Sequence, residues 1–377
     1  MFRVGTISMV SVILIVSSVF AQQTISVGDF DFTLGGCVRA LYTSEKYRDS
    51  QFNEIMNHQN VFLEVARLNL AGEYGDHLSA YIEGGYFKDW RYSLGYDDYE
   101  RSYDNWFYLG WLKMSYGMFE LTGGLDFVNC GIEPSIRDVD LHLLRPSLAT
   151  LRLAPMRKPG VRFSISPFRS GEHRFMTLSF GLYDDIYPPF TSEYDRLEGD
   201  DRRFFIDLPY VASLALSPFE QLKITGYYGN DTNWIKYGYG NDEWDEDDDA
   251  VLRIHGAGLW FGVSGFGVSV DYFYKHAIER YWYWGTYASN GGQLSVYYEA
   301  PPLGPITFEP VFRIDILNPQ KGFKYDKITT YAFGLNLHTF DEHISLMMNY
   351  YHPREEVPEG ESQYPNDEFY TGLQLIM

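Results

Sequence analysis

Apolar and polar positions alternate along the last part of the chain, from Ile306 to Met377. In its first segment one parity is apolar and the other is mostly polar: Ile306, Phe308, Pro310, Phe312, Ile314 and Ile316 against Thr307, Glu309, Val311, Arg313 and Asp315. A period of two with one apolar face predicts a β-strand. Three more such segments follow, beginning near Tyr331, Ile344 and Phe369. Long polar stretches and tight turns alternate between them, as in an outer-membrane-type barrel.

The same alternation runs back to Phe30 and gives about sixteen strands, an even number, with both chain ends on the short-turn side. We therefore predict an all-β fold, a transmembrane antiparallel β-barrel with long loops at one end. Sixteen strands leave a water-filled lumen, whereas eight do not. One position breaks the parity: if Leu68 and Leu70 face lipid, Arg67 faces the lumen but Glu64 faces outward. A bulge, a boundary position or another register must account for Glu64.

Composition agrees with a barrel, because 18% of the residues are aromatic and there are 32 Tyr and 35 Gly. Such residues suit strands that end at a membrane interface and turn tightly. The mean hydropathy of −0.27 averages lipid-facing and water-facing residues, so it does not argue against a membrane protein.

The N-terminus has the features of a secretory signal. A positive start at Arg3 is followed by an apolar core, Val10 to Phe20, which is too short to span a bilayer as a helix. Val19-Phe20-Ala21 is a cleavage sequence with small residues. We predict a signal peptide over residues 1–21 and a barrel domain over residues 22–377.

The formal net charge of −21 argues against nucleic acid as a partner. Cys37 and Cys130 are the two cysteines. They are able to pair in an oxidising compartment or to remain free, since sequence does not place their Cα atoms.

Several segments resemble the porin O and P family of outer-membrane proteins, the phosphate-selective porins and their relatives. They are Val65-Ala-Arg67-Leu-Asn-Leu-Ala-Gly72, Gly181-Leu-Tyr-Asp-Asp185, Phe308-Glu-Pro-Val-Phe-Arg313-Ile-Asp315, Phe333-Gly-Leu-Asn336 and Ser345-Leu-Met-Met-Asn349-Tyr350. The likeness is diffuse and covers nearly all of the mature chain. It implies a sixteen-stranded barrel, a homotrimer, and a third loop that folds inward as a constriction. The resemblance supports phosphate as the solute only weakly, because a ladder of inward basic residues is not evident, and the relevance of phosphate stays open.

The third long connection, roughly Asn129 to Met156, is therefore the candidate constriction. Its charged residues include Glu133, Arg137, Asp138, Asp140, Arg145 and Arg152. The alternative is a surface cap with no effect on conductance. If the parity is right, the lumen also receives charges of both signs from the strands: Arg39, Arg67, Arg162, Arg253, Arg313, Glu309, Asp315 and Asp126. Such charges either select small ions and solutes or only hydrate the wall and pair with each other.

Other chemistry has little support in the sequence. The run from Asp242 to Asp249 is acidic but lacks the spacing of a calcium-binding loop, and it is typical of a solvated loop. Neither a paired-histidine zinc motif nor a Gly-x-Ser-x-Gly elbow occurs, so we predict a non-enzyme without metal or cofactor. Three alternatives stay open: a soluble glycan-binding β-protein that uses Tyr281 to Trp284, a hydrolase on the same barrel, and an adhesin or assembly scaffold on that barrel.

Overall fold

Strands form where the sequence alternates. The computed structural model describes residues 23–48, 55–87, 107–171, 173–184, 186, 208–231, 251–278, 286–319, 321, 327–339, 343–356 and 367–376. The strands are β1 (Gln23–Val27), β2 (Phe30–Arg48), β3 (Ile55–Tyr74), β4 (Leu78–Phe87), β5 (Phe107–Tyr116), β6 (Phe119–Phe127), β7 (Arg157–Ser170), β8 (His173–Tyr183), β9 (Tyr210–Phe219), β10 (Leu222–Asp231), β11 (Val251–Val263), β12 (Phe266–Ile278), β13 (Thr286–Tyr298), β14 (Ile306–Asn318), β15 (Ile328–Thr339), β16 (Ile344–Glu355) and β17 (Glu368–Ile376).

Strands β2 to β17 pair in chain order, each antiparallel to the next, and β17 returns to pair with β2. The closing pairing places Gln374 opposite Arg39. The result is a closed barrel of sixteen strands, as predicted. Closure matters because hydrocarbon offers no hydrogen-bond partner to the edge of an open sheet.

Strand β1 is an addition that the alternation did not predict. It forms a hairpin with the first residues of β2, from Val27 opposite Phe30 to Gln23 opposite Leu34. The pairing of β2 with β17 begins only at Cys37. Strand β1 therefore pairs with the portion of β2 that β17 does not reach.

The two faces of the barrel differ as the period of two predicted. On β15, Phe333 and Leu335 are 52% and 38% exposed, whereas Ala332 and Asn336, which flank this pair, are fully buried. The exposed parity of the wall is rich in large apolar side chains, which suits contact with lipid.

Tight turns join the strands at one end, at residues 75–77, 117–118, 220–221 and 264–265. Gly75 and Gly117 adopt φ values of +51° and +58° there, where a side chain would be strained. Pro167 and Pro218, of a residue type that is common in turns, each lie within a strand. The pairing of β7 with β8 and of β9 with β10 shifts register near these prolines, which is where a residue without an N–H is tolerated.

A β-bulge explains the broken parity in β3. Arg39 pairs with Val65 and the next residue, Ala40, pairs with Leu63, so Glu64 is the extra residue. The bulge turns Glu64 to the inner face, where it is fully buried.

Among the described residues helical structure occurs only in short elements, and none of these helices has the length and hydropathy to cross a bilayer. The longest is α1 (Leu148–Leu153). The expected signal peptide (1–21), the acidic run (242–249) and the aromatic cluster (281–284) lie outside the described residues.

Candidate functional site

Residues 128–156, here called the inner segment, join β6 to β7 and lie inside the barrel. The segment contacts Arg67 on β3, Asp271 on β12 and Asn349 on β16. These strands stand on different sides of the closed wall, so one segment can touch all of them only from within. The sequence placed this connection at roughly Asn129 to Met156.

Buried charges hold the segment against β2 and β3. Arg67 Nη2 lies 2.5 Å from Asp138 Oδ1, and Arg67 Nε lies 3.1 Å from Glu83 Oε1. Arg39 Nε lies 2.6 Å from Glu64 Oε2 and donates from Nη1 to the Asp138 carbonyl at 3.2 Å. Because each guanidinium has a carboxylate beside it, the desolvation of both charges is offset.

Asp138 remains ionised in this cluster. Burial alone would raise the pKa of Asp138, but the positive charges of Arg67 and Arg39 outweigh burial and lower the pKa to about 2. The ion pair between the wall and the segment is therefore intact at neutral pH.

On another side of the barrel wall, Asp271 of β12 accepts hydrogen bonds from the backbone N–H groups of Ile132 at 2.7 Å and Glu133 at 2.9 Å. Glu133 in turn lies 3.1 Å from Arg313 of β14. The Arg313 guanidinium also donates to the carbonyls of Arg145 and Pro146, so one strand residue holds two parts of the segment.

Helix α1 begins within this network. Ser147 is its N-cap and accepts a hydrogen bond from the Thr150 N–H at 3.1 Å. Asp315 of β14 accepts hydrogen bonds from the N–H groups of Leu148 at 2.5 Å and Ala149 at 3.2 Å. A carboxylate at a helix N-terminus satisfies N–H groups that have no partner within the helix.

The middle of the segment lies along β14 to β17. Arg145 Nη1 is 2.5 Å from Glu368 Oε2, and the His142 ring nitrogen Nδ1 is 3.1 Å from Glu309 Oε2. Asn349 accepts a hydrogen bond from the Leu144 N–H at 2.6 Å. Because a wall side chain here bonds a backbone group of the segment, it fixes the position of the segment along the barrel axis.

Apolar side chains cover the remaining contact area. Leu143, Leu144 and Leu151 of the segment pack with Val311 and Met347 of the wall in one cluster. A second cluster joins the segment to β11, β12 and β14 through Val128, Cys130, Ala149, Leu153, Leu252, Ile254, Phe273 and Leu317. Burial of this apolar surface stabilises the inward position. The two cysteines are buried and unpaired.

The remaining charged residues that the sequence predicted at this site lie at the start of the segment and on its exposed side. Asp126 and Arg162 form an ion pair at 2.9 Å beside the start of the segment. Arg137 and Asp140 pair at 2.6 Å and keep 30% and 37% of their side-chain surface exposed. Arg152 lies half-buried in the last turn of α1.

The position of Arg253 differs from the one that the sequence predicted. It was expected in the lumen, but its neighbours Leu252 and Ile254 are fully buried against the inner segment, so Arg253 lies on the outer face. The expectation assumed that apolar residues always face lipid. On β11 the inner face is apolar because Leu252 and Ile254 pack on the segment, and that reverses the parity that hydropathy suggests for this strand.

Sequence reasoning missed several polar residues that hold the segment, namely Glu64, Gln374, Asn336 and Asn349. Gln374 donates to the Val139 carbonyl at 3.0 Å, and Asn336 donates to the His142 carbonyl at 2.7 Å. Gln374, Asn336 and Asn349 lie on the water-facing parity of their strands, where polarity is ordinary. Only Glu64 carried a signal, because it broke the alternation.

The closed sixteen-stranded barrel with its inward segment is a porin-like fold of the outer-membrane β-barrel type. An anion-selective porin from Comamonas acidovorans is similar over 92% of this chain and 100% of its own, with 14% identity and a TM-score of 0.61. The outer membrane channel DcaP of Acinetobacter baumannii matches over 95% and 100%, with 12% identity and a TM-score of 0.59. The trimer form of in-vitro folded OmpT of Vibrio cholerae matches over 92% and 99%, with 10% identity and a TM-score of 0.57. No protein-family model matches the chain, and no curated protein matches it.

Proposed function

We propose that this protein is a passive diffusion channel for small polar or charged solutes, with a water-filled lumen narrowed by the inner segment. The observation that carries the proposal is the Arg67–Asp138 ion pair at 2.5 Å, which fixes the segment inside a closed barrel. A segment held by ion pairs, backbone hydrogen bonds and apolar contacts keeps a constant cross-section. A loop that only capped the surface would not need contacts with so many strands.

The side chains that face the passage in this proposal are those of the segment that keep exposed surface. Arg137, Asp140 and His142 are 30%, 37% and 36% exposed at the side chain. Rings or pairs of charged side chains at a narrow point act on passing ions.

We further propose weak charge selectivity. Arg39, Arg67 and Arg313 are each within 3.1 Å of a carboxylate. A guanidinium that is already neutralised attracts an anion less than a free one does. The reversal potential in a potassium chloride gradient should therefore lie near zero, and a large potential of either sign would contradict this.

Single-channel conductance in planar bilayers tests the constriction. Removing residues 137–152 and closing the gap with a short Gly/Ser linker should raise the conductance, because the narrowest part of the lumen is lost. The matched control removes the acidic run 242–249, which belongs to another connection, and should leave conductance unchanged. Equal conductance of the shortened and the intact protein would contradict the proposal, and absence of any current would favour a scaffold or adhesin.

We also propose that the chain forms a homotrimer, since the similar OmpT of Vibrio cholerae has been solved in a trimer form. Chemical cross-linking of the refolded protein should produce a ladder that stops at three copies. A ladder that stops at one copy would contradict this.

We also propose that the chain belongs to the porin O and P family. The support for this proposal is that residues of the resembling segments, among them Arg67, Arg313, Asp315, Asn336 and Asn349, contact the inner segment. In an alignment with members of that family, these five residue types should be kept together with their partners on the segment. Independent variation of the two sides would contradict membership.

A further inference from the structure

A polar row crosses three neighbouring strands on the outer face of the barrel. Arg253 of β11 lies directly opposite Asn230 of β10 and His276 of β12 in the pairing register. Arg253 is exposed, and Asn230 and His276 are half-exposed. The row shares its parity with Leu259 and Val270, which are 37% and 38% exposed on the apolar outer surface.

The height of the row follows from the register. Arg253 precedes Val263, the last residue of β11, by ten positions. At a rise of about 3.4 Å per residue and a strand tilt near 40°, ten residues climb about 25 Å, which is the height of the apolar band of such barrels. The row therefore lies at the upper edge of that band, at the end of the barrel where residues 232–250 form a long connection.

On the outer face, the residues between this row and the short turns change from tyrosines to purely apolar side chains. Tyr228, 41% exposed, lies opposite His255 in the next outward row, and Tyr272, 45% exposed, lies opposite Ala257 one row further from Arg253. Leu259 and Val270 follow, and Phe266, 39% exposed, lies near the short turn at the other end. Tyrosines mark a membrane–water interface, so Arg253 projects among lipid headgroups rather than into the hydrocarbon.

Within the described ranges, no carboxylate lies within ion-pair distance of Arg253. A second outward-facing arginine near the same end, Arg354 of β16, is different. Its Nε lies 2.9 Å from His352 Nε2 and its guanidinium lies 5.8 Å from the Tyr331 ring. Arg354 thus has contacts within the protein, whereas the guanidinium of Arg253 faces outward with hydrogen-bonding neighbours on both sides.

We propose that Arg253, with Asn230 and His276, forms a binding site for a phosphate group of the outer-leaflet lipid, a phosphorylated lipid of the lipopolysaccharide class. A guanidinium binds phosphate through two parallel hydrogen bonds, and amide and imidazole N–H groups are suitable additional donors. The outer leaflet presents such phosphates at the height of this row, which gives the complementary charge. The site is separate from the lumen and holds whether or not the barrel conducts.

Lipid binding by the refolded, full-length barrel in detergent tests the site, with lipopolysaccharide and its phosphatase-treated form as probes in native mass spectrometry. We expect Arg253→Gln to weaken binding of lipopolysaccharide about fivefold or more. Arg253→Lys should retain most of the affinity because it retains the charge. The matched control, Arg354→Gln, should bind within twofold of the wild type.

The folded fraction of each variant is measured by its faster migration on unheated gels, and affinities are compared between folded barrels. Equal binding by wild type and Arg253→Gln, or equal binding of the phosphatase-treated lipid, would overturn the proposal. Phosphatidylglycerol binding as tight as lipopolysaccharide would overturn the assignment to the outer leaflet. A loss of cross-linked oligomer in Arg253→Gln would show instead that the row is a contact between copies.

Discussion

Arg67 Nη2 on strand β3 lies 2.5 Å from Asp138 Oδ1 on the inner segment, and the Arg67 side chain is fully buried. The same guanidinium lies 3.6 Å from the centre of the Tyr108 ring. A charge placed there without its partner would be desolvated and uncompensated. The wall and the segment are consequently coupled through this one pair more strongly than through a surface ion pair.

The first prediction concerns this pair. Arg67→Ala should lower the free energy of unfolding by about 3 kcal/mol, because Glu83 and Asp138 would keep buried charges with one cation fewer. Urea unfolding of the refolded barrel, followed by tryptophan fluorescence, measures the change. In a double-mutant cycle with Asp138→Ala the two effects should be far from additive. Simple additivity would mean that the pair does not couple wall and segment.

The second prediction concerns the stability of the folded protein at low pH. The pKa of Asp138 is about 2 in the folded protein, below the ordinary value of 3.8. The folded state thus binds this proton less tightly than the unfolded chain, so the stabilisation is complete above about pH 4 and is lost as the pH falls through about 2. This contribution of Asp138 to the free energy of unfolding is on the order of 2 kcal/mol.

Wild-type channels should therefore become noisier or larger in conductance between pH 4 and pH 2. Asp138→Asn should show that behaviour already at pH 5, since it lacks the charge at every pH. Asp140→Asn is the control, because Asp140 is 37% exposed and contacts Arg137 within the segment itself. An identical pH profile for wild type and Asp138→Asn would contradict the prediction.

The third prediction concerns helix α1. Asp315→Ala removes the acceptor of the Leu148 and Ala149 N–H groups, which costs about 2 kcal/mol when buried donors are left unpaired. Trypsin should then cleave after Arg152 much faster than in the wild type. Asp126→Ala, which removes an inner-face carboxylate away from α1, should not accelerate this cleavage. Equal cleavage rates in the two variants would show that Asp315 does not hold the helix.

The fourth prediction concerns the close approach of the segment to β17. A Cβ built on Gly372 would lie 2.6 Å from Leu144 Cδ2, so the absence of a side chain leaves room for Leu144. Gly372→Val should destabilise the protein by about 1–3 kcal/mol through overpacking. Gly123→Val is the control, since a Cβ there would meet only Val161 Cγ2, at 3.9 Å. Equal melting temperatures of the two variants would contradict this account.

The alternation alone predicted most of the wall. Arg313, Glu309 and Asp315 lie on the buried parity of β14 as expected, because β14 has lipid on one side and polar contacts on the other. Glu64 was recognised as irregular, but only the register of β2 against β3 showed that a bulge turns it inward. Its pairing with Arg39 depends on a neighbouring strand, which period alone does not reveal.

The sequence by itself determined the strands, their alternating faces and the length of the third connection, because these depend on local backbone geometry and on contact with lipid. Tertiary structure decided that the inner segment packs on Leu252 and Ile254 and so places Arg253 on the outside. It also decided which carboxylate neutralises each arginine, such as Glu64 for Arg39 and Asp138 for Arg67. These outcomes depend on contacts between residues far apart in the chain, and a hydropathy pattern contains no information about which distant surfaces meet.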